Sequence, residues 1–251
     1  MSIKLALHIN DQHPTLRFAA EELRRFLGSG VFVPEADANG VLPQRDFYTG
    51  YAQSLGIDRA GVYASAMTLL DDADSQARYE LPNVGFSFVG CWGQEGLGYY
   101  GVFQHEKVTD VQAKYTQALD LLRICAQTTT NPDGQVYLTF LINRVFATAT
   151  YLQAIDAATA LQPICNGRTP DQLKPSEQIA VRAICNQALA LMERYMEIHA
   201  EALPDRGCEG TLISFYYTPP AVLKRIRAEY GSGQVISSAA VPFDAPPSPI
   251  A

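Results

Sequence analysis

Apolar side chains recur along the chain at two different spacings, which predict the order of its elements. Residues 3–9 alternate apolar and polar side chains, as in a half-buried strand. Residues 14–27 then carry apolar side chains at helical spacing, glycines follow at 28 and 30, and residues 31–33 can form a second short strand. The chain is therefore expected to open with a β-α-β element.

From residue 39 onward, helical spacing dominates the pattern. Two amphipathic stretches separated by Gly56 occupy residues 39–74, and a strand near 84–89 leads into a long glycine- and aromatic-rich loop. Further helices are predicted at 110–127, 134–162, 175–202 and 219–231, the first of them opened by a capping box of Thr109 and Gln112. The helix at 134–162 is apolar nearly all round, which is typical of a helix in the middle of a bundle.

These patterns predict an α+β fold that is predominantly helical, with a small N-terminal β-α-β element followed by a helical bundle. We divide the chain into an α/β and glycine/aromatic-rich region at 1–107, a helical bundle domain at 108–231 and a tail at 232–251. The tail is rich in Ser, Ala and Pro, and this composition predicts disorder.

Composition and charge restrict the classes of function. The 251 residues carry a net charge of −7, which argues against nucleic-acid binding because no basic surface is available for phosphates. No apolar run approaches the roughly 20 residues of a membrane span, and the first residues do not resemble a signal peptide. We therefore expect a cytoplasmic protein. Five scattered cysteines and four histidines show no metal-ligand spacing, so neither a metal nor another cofactor is expected.

The stretch Gly96–Gly101 reads G-L-G-Y-Y-G and formally matches a dinucleotide-binding motif. That motif requires a helix to begin directly after the glycines, so that backbone N–H groups meet the pyrophosphate. Here the next helix cap is Thr109, and no alternating series of strands and helices follows. The nucleotide interpretation is therefore rejected.

The same stretch has the composition of a sugar-binding loop. Trp92, Tyr99 and Tyr100 supply flat aromatic faces for pyranose rings, and Glu95 and Glu106 supply carboxyl groups for binding hydroxyls or transferring protons. The alternative is structural, because aromatic residues beside glycines also pack over tight turns.

Two further groups of residues are candidates for chemistry. Asp71, Asp72 and Asp74 could supply the pair of carboxyl groups that glycoside hydrolysis needs, or form a solvated turn. Arg144 is isolated on an apolar helix, where it could bind a carboxylate ligand or form an internal ion pair.

The segment H-P-T-L-R-F-A-A-E-E-L-R-R-F-L at 13–27, after the strand I-K-L-A-L-H-I, resembles the small N-terminal α/β domain of β-hexosaminidase-like and α-glucuronidase-like glycoside hydrolases. The helices at 110–200 and D-R-G-C-E-G-T-L at 205–212 are similar to the helical C-terminal domain of some of these enzymes. Those families carry their catalytic carboxylates on an intervening barrel, which needs about 250 residues. The chain has no room for it, so no position inherits a catalytic role from the resemblance.

Two functions follow from these observations. The first is a carbohydrate-active protein related to glycoside hydrolases, which binds or hydrolyses a glycoside. The second is a non-enzymatic helical module that binds a partner protein or self-associates. The enzyme requires two carboxyl groups facing each other across a cleft beside Trp92. The module would instead leave them apart and expose an apolar surface elsewhere.

Overall fold

The computed structural model describes residues 43–79, 92, 101–104, 107–202 and 210–233. Their regular structure consists of helices. These are α1 (Gln44–Ser54), α2 (Ala60–Tyr79), α3 (Thr109–Thr128), α4 (Pro132–Thr159), α5 (Gln162–Cys165), α6 (Pro175–Glu201), α7 (Gly210–Tyr216) and α8 (Pro219–Glu229), with 3₁₀ turns at Gly101–Gln104 and Pro170–Gln172.

The expectation of an α+β fold is wrong, because the described ranges form helices and contain no strand. Helical spacing of apolar positions persists throughout these ranges, and nothing in them offers a sheet edge on which a strand could pair. The β-α-β element expected at 3–33, the strand near 84–89 and residues 234–251 of the tail lie outside the described residues. The predicted bundle helices are confirmed, with boundaries within a few residues of those expected.

Each long helix packs against the next long helix in the chain. The order of packing is α1 on α2, α2 on α3, α3 on α4, α4 on α6 and α6 on α8. The two longest, α4 and α6, are neighbours, and α4 also packs on α3, so it lies between two layers. Its buried alanines, among them Ala149, Ala154 and Ala158, allow these close approaches on several sides. The predicted central position of this apolar helix is therefore confirmed.

The beginning of α4 is fixed by its own sequence and by the turn between α1 and α2. The Asn131 side chain accepts hydrogen bonds from the backbone N–H groups of Asp133 (2.9 Å) and Gly134 (3.2 Å), and Pro132 occupies the first turn. A Cβ atom at Gly134 would lie 2.7 Å from the carbonyl oxygen of Leu55. Glycine is therefore needed here for the close approach of the two backbones.

The beginning of α3 is capped from a distance, and the expected Thr109–Gln112 capping box is not formed. Asp156 on α4 accepts a hydrogen bond from the backbone N–H of Val108 at 2.8 Å and another from the Thr109 hydroxyl at 3.3 Å. A carboxylate here satisfies an unpaired N–H group and favours the positive end of the helix dipole. The cap thus joins α3 to α4.

Candidate functional site

Asp71 is the polar centre of the contact between α1 and α2. Its carboxylate accepts hydrogen bonds from the Tyr48 hydroxyl and the Gln44 side-chain amide, both on α1. Burial, followed by the hydrogen bond to Asp71, raises the pKa of Tyr48 to about 12. The phenol therefore stays protonated at neutral pH and acts as a donor rather than as a base.

The other two aspartates of the predicted cluster point elsewhere. Asp74 accepts a hydrogen bond of 2.5 Å from the Tyr115 hydroxyl on α3, and burial is the main reason why the pKa of Tyr115 is raised. Asp72 is exposed. Asp71 and Asp74 thus accept hydrogen bonds from tyrosines of two different helices, α1 and α3.

Trp92 is fully buried, so its ring offers no face to solvent. Its indole N–H donates a hydrogen bond of 2.8 Å to the hydroxyl of Tyr151, which is also buried. The Tyr151 ring lies against Tyr195 and Phe215, each at a centroid distance of 5.6 Å. The indole is therefore part of the core, while Glu95, Tyr99, Tyr100 and Glu106 lie outside the described residues.

Arg144 lies at the surface of α4 and forms no ion pair with any other residue that the structure describes. The internal ion pair considered for it is therefore not observed in these ranges. Its positive charge instead acts on two side chains of α6: it lowers the pKa of His199, adding to the effect of burial, and it opposes the burial that raises the pKa of Tyr195.

A second group of side chains, not singled out in the sequence, forms an exposed aromatic surface. The Phe47 ring stacks on Tyr51 at a centroid distance of 6.3 Å, and Tyr51 contacts Tyr137 edge-on at 5.8 Å. On α4, Phe140 lies three residues after Tyr137 and four after Val136, and residues at these spacings are neighbours on a helix surface. We call this set the aromatic surface; it comprises Phe47, Tyr48, Tyr51, Val136, Tyr137 and Phe140.

Three members of the aromatic surface are strongly exposed. The exposed fractions are 51% for Phe47, 72% for Val136 and 46% for Phe140. Beneath them, the hydroxyl groups of Tyr63 and Tyr137 are 3.1 Å apart. Burial, followed by the neighbouring Tyr137, raises the pKa of Tyr51 to about 12. Tyr48 and Tyr51 are therefore neutral at physiological pH and contribute to this surface as contact groups rather than as acids or bases.

The described residues provide no conventional catalytic machinery around these side chains. Cys125, Cys165 and Cys185 are buried thiols, and burial raises the pKa of Cys165 and of Cys185 to about 12. They are consequently poor nucleophiles. Within the same ranges no three His, Cys, Asp or Glu side chains are grouped so that they could hold a metal ion. None of the described helices combines the length and apolar character needed to cross a membrane.

Comparison with family models, characterised proteins and solved structures finds no match to this chain.

The sequence carried only part of the signal for these surfaces. The periodicity of α1 places Phe47, Tyr48 and Tyr51 on one helix face, but such a face is ordinarily buried. The apolar character of α4 extends around the whole helix, so Val136 and Phe140 have no pattern that marks them as exposed. No pattern in the sequence around His199 indicates that the charge of Arg144, on another helix, acts on it.

Proposed function

We propose that this protein is a non-enzymatic helical module that assembles with a second copy of itself through the aromatic surface. The observation that carries the proposal is the exposure of Phe47, Val136 and Phe140 in continuity with half-buried tyrosines. Exposed aromatic residues grouped in this way are enriched at protein–protein interfaces, where their burial supplies most of the binding free energy.

The arrangement of carboxyl groups favours a module over a glycosidase. A hydrolase of this kind needs two carboxyl groups about 5–10 Å apart on either side of the scissile bond. Asp71 and Asp74 instead accept hydrogen bonds from tyrosines of different helices, and Trp92 is enclosed. The relation to glycoside hydrolases stays a prediction based on sequence resemblance.

A second copy is the partner that the charges beside the aromatic surface favour. Arg45 and Asp46, both exposed, directly precede Phe47 on α1. In a two-fold symmetric pair, the same surface meets itself in the opposite direction, so Arg45 of one copy can approach Asp46 of the other. A border that carries both signs of charge is therefore self-complementary, whereas a border of one sign would repel a second copy.

Sedimentation velocity over a wide concentration range tests this proposal. We expect a concentration-dependent dimer that is lost or weakened at least 10-fold when Phe47 and Phe140 are both replaced by alanine, because each truncated anchor costs about 1–2 kcal/mol of binding. The matched control replaces Ile179 and Ile213, which are similarly exposed on α6 and α7, by alanine. The control should dimerise like the unaltered chain, and a monomer at all concentrations would refute self-assembly.

One observation supports a carbohydrate as a second candidate ligand for the same surface. The exposed ring of Phe47 lies beside Tyr48, whose hydroxyl meets Gln44 at the carboxylate of Asp71. Sugars are held by this combination of an aromatic face with polar side chains. Calorimetric titration with neutral and uronic oligosaccharides would detect such binding. Its loss in Phe47→Ala and Asp71→Asn, but not in Ile179→Ala, would support the sugar. No heat with any sugar would reject it.

A further inference from the structure

The contact between α4 and α6 brings together three polar side chains at the edge of the core. The ring contact between Tyr151 and Tyr195 fixes which turns of the two helices are neighbours. Arg144 lies two helical turns before Tyr151, and His199 lies one turn after Tyr195, so each projects from the same face as its tyrosine. The connection from Thr159 to Pro175 contains α5 and a 3₁₀ turn and is too short to return along the 28 residues of α4, so the two helices run in opposite directions. Arg144 and His199 therefore lie towards the same end of the helix pair, and burial followed by the charge of Arg144 lowers the pKa of His199.

Arg144, Tyr195 and His199 all have unused hydrogen-bonding capacity. None of the three side chains forms a hydrogen bond or ion pair with another residue in the described ranges, although Tyr195 is only 7% exposed and His199 only 5%. In those ranges the polar side-chain atoms enclosed without a hydrogen bond are Gln76 Oε1 and Thr129 Oγ1. The polar atoms of the Tyr195 and His199 side chains are not among them, so both groups still reach the solvent.

Among the described residues, Arg144 supplies the positive charge at this position. Burial and, secondarily, the charge of Arg144 lower the pKa of His199 and keep its imidazole neutral near pH 7. Arg144 is also the one described charged group whose field shifts the pKa of His199. A neutral imidazole and a neutral phenol each retain one hydrogen-bond donor.

We propose that Arg144, Tyr195 and His199 form a binding site for a small organic carboxylate. The planar guanidinium can donate two parallel hydrogen bonds to the two carboxylate oxygens, and the phenol and imidazole can donate to their remaining lone pairs. One positive charge balances one carboxylate. A phosphate dianion would keep an uncompensated negative charge beside partly buried rings, so it should bind less well. The site shares no residue with the aromatic surface.

Proton–carbon correlation spectra of the histidine rings provide a direct test. The chain has four histidines, and the signal of His199 can be assigned with a His199→Gln variant. Titration with benzoate or acetate at pH 7 should shift the His199 signal with saturation, while inorganic phosphate at equal concentration should bind at least several-fold more weakly. Benzoate binding should also strengthen between pH 8 and pH 6, because a nearby carboxylate favours the protonated imidazole.

Variants of the exposed arginine decide whether the site is specific. Arg144→Gln should weaken benzoate binding by about 10-fold or more, as expected for the loss of a charge-assisted pair of hydrogen bonds. Arg144→Lys keeps the charge but not the paired donors. Its affinity for benzoate should lie between those of the unaltered protein and of Arg144→Gln. Arg59→Gln removes the same charge from an exposed position directly before α2 and should bind benzoate normally.

Any of three results would overturn the proposal. These are the absence of a saturable His199 shift with benzoate or acetate, an equal affinity for phosphate, and an Arg144→Gln variant that binds like the unaltered protein. Because Arg144 is exposed, this variant is expected to fold even if His199→Gln does not, and the proposal remains testable with it.

Discussion

At the scale of single residues, the buried hydrogen bond between Trp92 and Tyr151 is the most sensitive polar contact of the core. Both side chains are enclosed, so a lost bond cannot be replaced by water without rearrangement. Tyr151→Phe should lower the free energy of unfolding by about 1–3 kcal/mol, because the indole N–H loses this acceptor. Denaturant unfolding followed by the emission of the single tryptophan measures this directly.

The control for this variant is Tyr216→Phe. Tyr216 is partly exposed, and in the described ranges its hydroxyl accepts a hydrogen bond from the Lys224 ammonium at 3.5 Å, so its removal should cost less than about 0.5 kcal/mol. Equal effects of the two substitutions would mean that the Trp92–Tyr151 hydrogen bond does not contribute to stability.

A second prediction at this scale concerns pH. Glu177 accepts two parallel hydrogen bonds of 2.9 Å from Arg168 and one from the backbone N–H of Lys174. These bonds, those from Arg168 above all, lower the pKa of Glu177 from 4.5 to about 2. A carboxyl group with a lowered pKa stabilises the folded state above its unfolded pKa, and this contribution disappears as the pH falls towards the folded value. Glu177→Gln should therefore be less stable at pH 7, with the difference vanishing between about pH 5 and pH 2.

Thermal unfolding of both proteins across that pH range is the measurement. Glu197→Gln is the matched control, since Glu197 pairs with Arg194 at 2.9 Å but both side chains are more than half exposed. Such exposed pairs contribute little, so this variant should show almost no pH-dependent difference. A pH-independent loss in Glu177→Gln would contradict the account.

At this scale the sequence indicates candidate polar residues but not their partners. Asp71 and Asp74 are candidate carboxylates in the sequence, but their donors Tyr48 and Tyr115 are 23 and 41 positions away in the chain. Likewise, no local pattern indicates that Tyr151, 59 positions after Trp92, accepts its N–H. Side-chain pairs of this kind depend on helix packing, which a single sequence does not specify.

At the scale of elements, the approach of α4 to the α1–α2 turn depends on a missing side chain. Gly134→Ala would place a methyl group against the Leu55 carbonyl, and overpacking of this kind typically costs about 1–3 kcal/mol. Gly61→Ala on α2 meets nothing within 4 Å and should stabilise the protein by about 0.5–1 kcal/mol, because alanine is a better helix former. Urea unfolding of both variants distinguishes these opposite effects, and two changes of the same sign would contradict them.

Helix boundaries were predictable because they depend on local chemistry. The sequence predicts that two helices begin at Pro175 and Pro219, and α6 and α8 begin at these residues. The cap of α3 was not predictable, because the carboxylate of Asp156 comes from another helix, 48 positions away from Val108. The expected α+β class is wrong because every regular element in the described ranges is a helix, while the short apolar runs that predicted strands lie outside those ranges.

At the scale of the whole molecule, helices packed in chain order bury one continuous core and leave the aromatic surface uncovered. A pattern of apolar positions cannot distinguish a face that packs inside one chain from a face that packs between two. This ambiguity explains why the amphipathic face of α1 was predicted while the exposure of Phe47 was not.

Photo-crosslinking from position 47 tests the central claim most directly. Phe47 is replaced by p-benzoylphenylalanine, and this protein is mixed with an isotope-labelled, unmodified copy before irradiation. The account predicts crosslinks between copies that map to the tryptic peptides 46–59 or 124–144, which contain the aromatic surface. The same reagent at Ile179 should give none between copies. Crosslinks from position 47 that stay within one chain, or none above the Ile179 control, would contradict assembly through this surface.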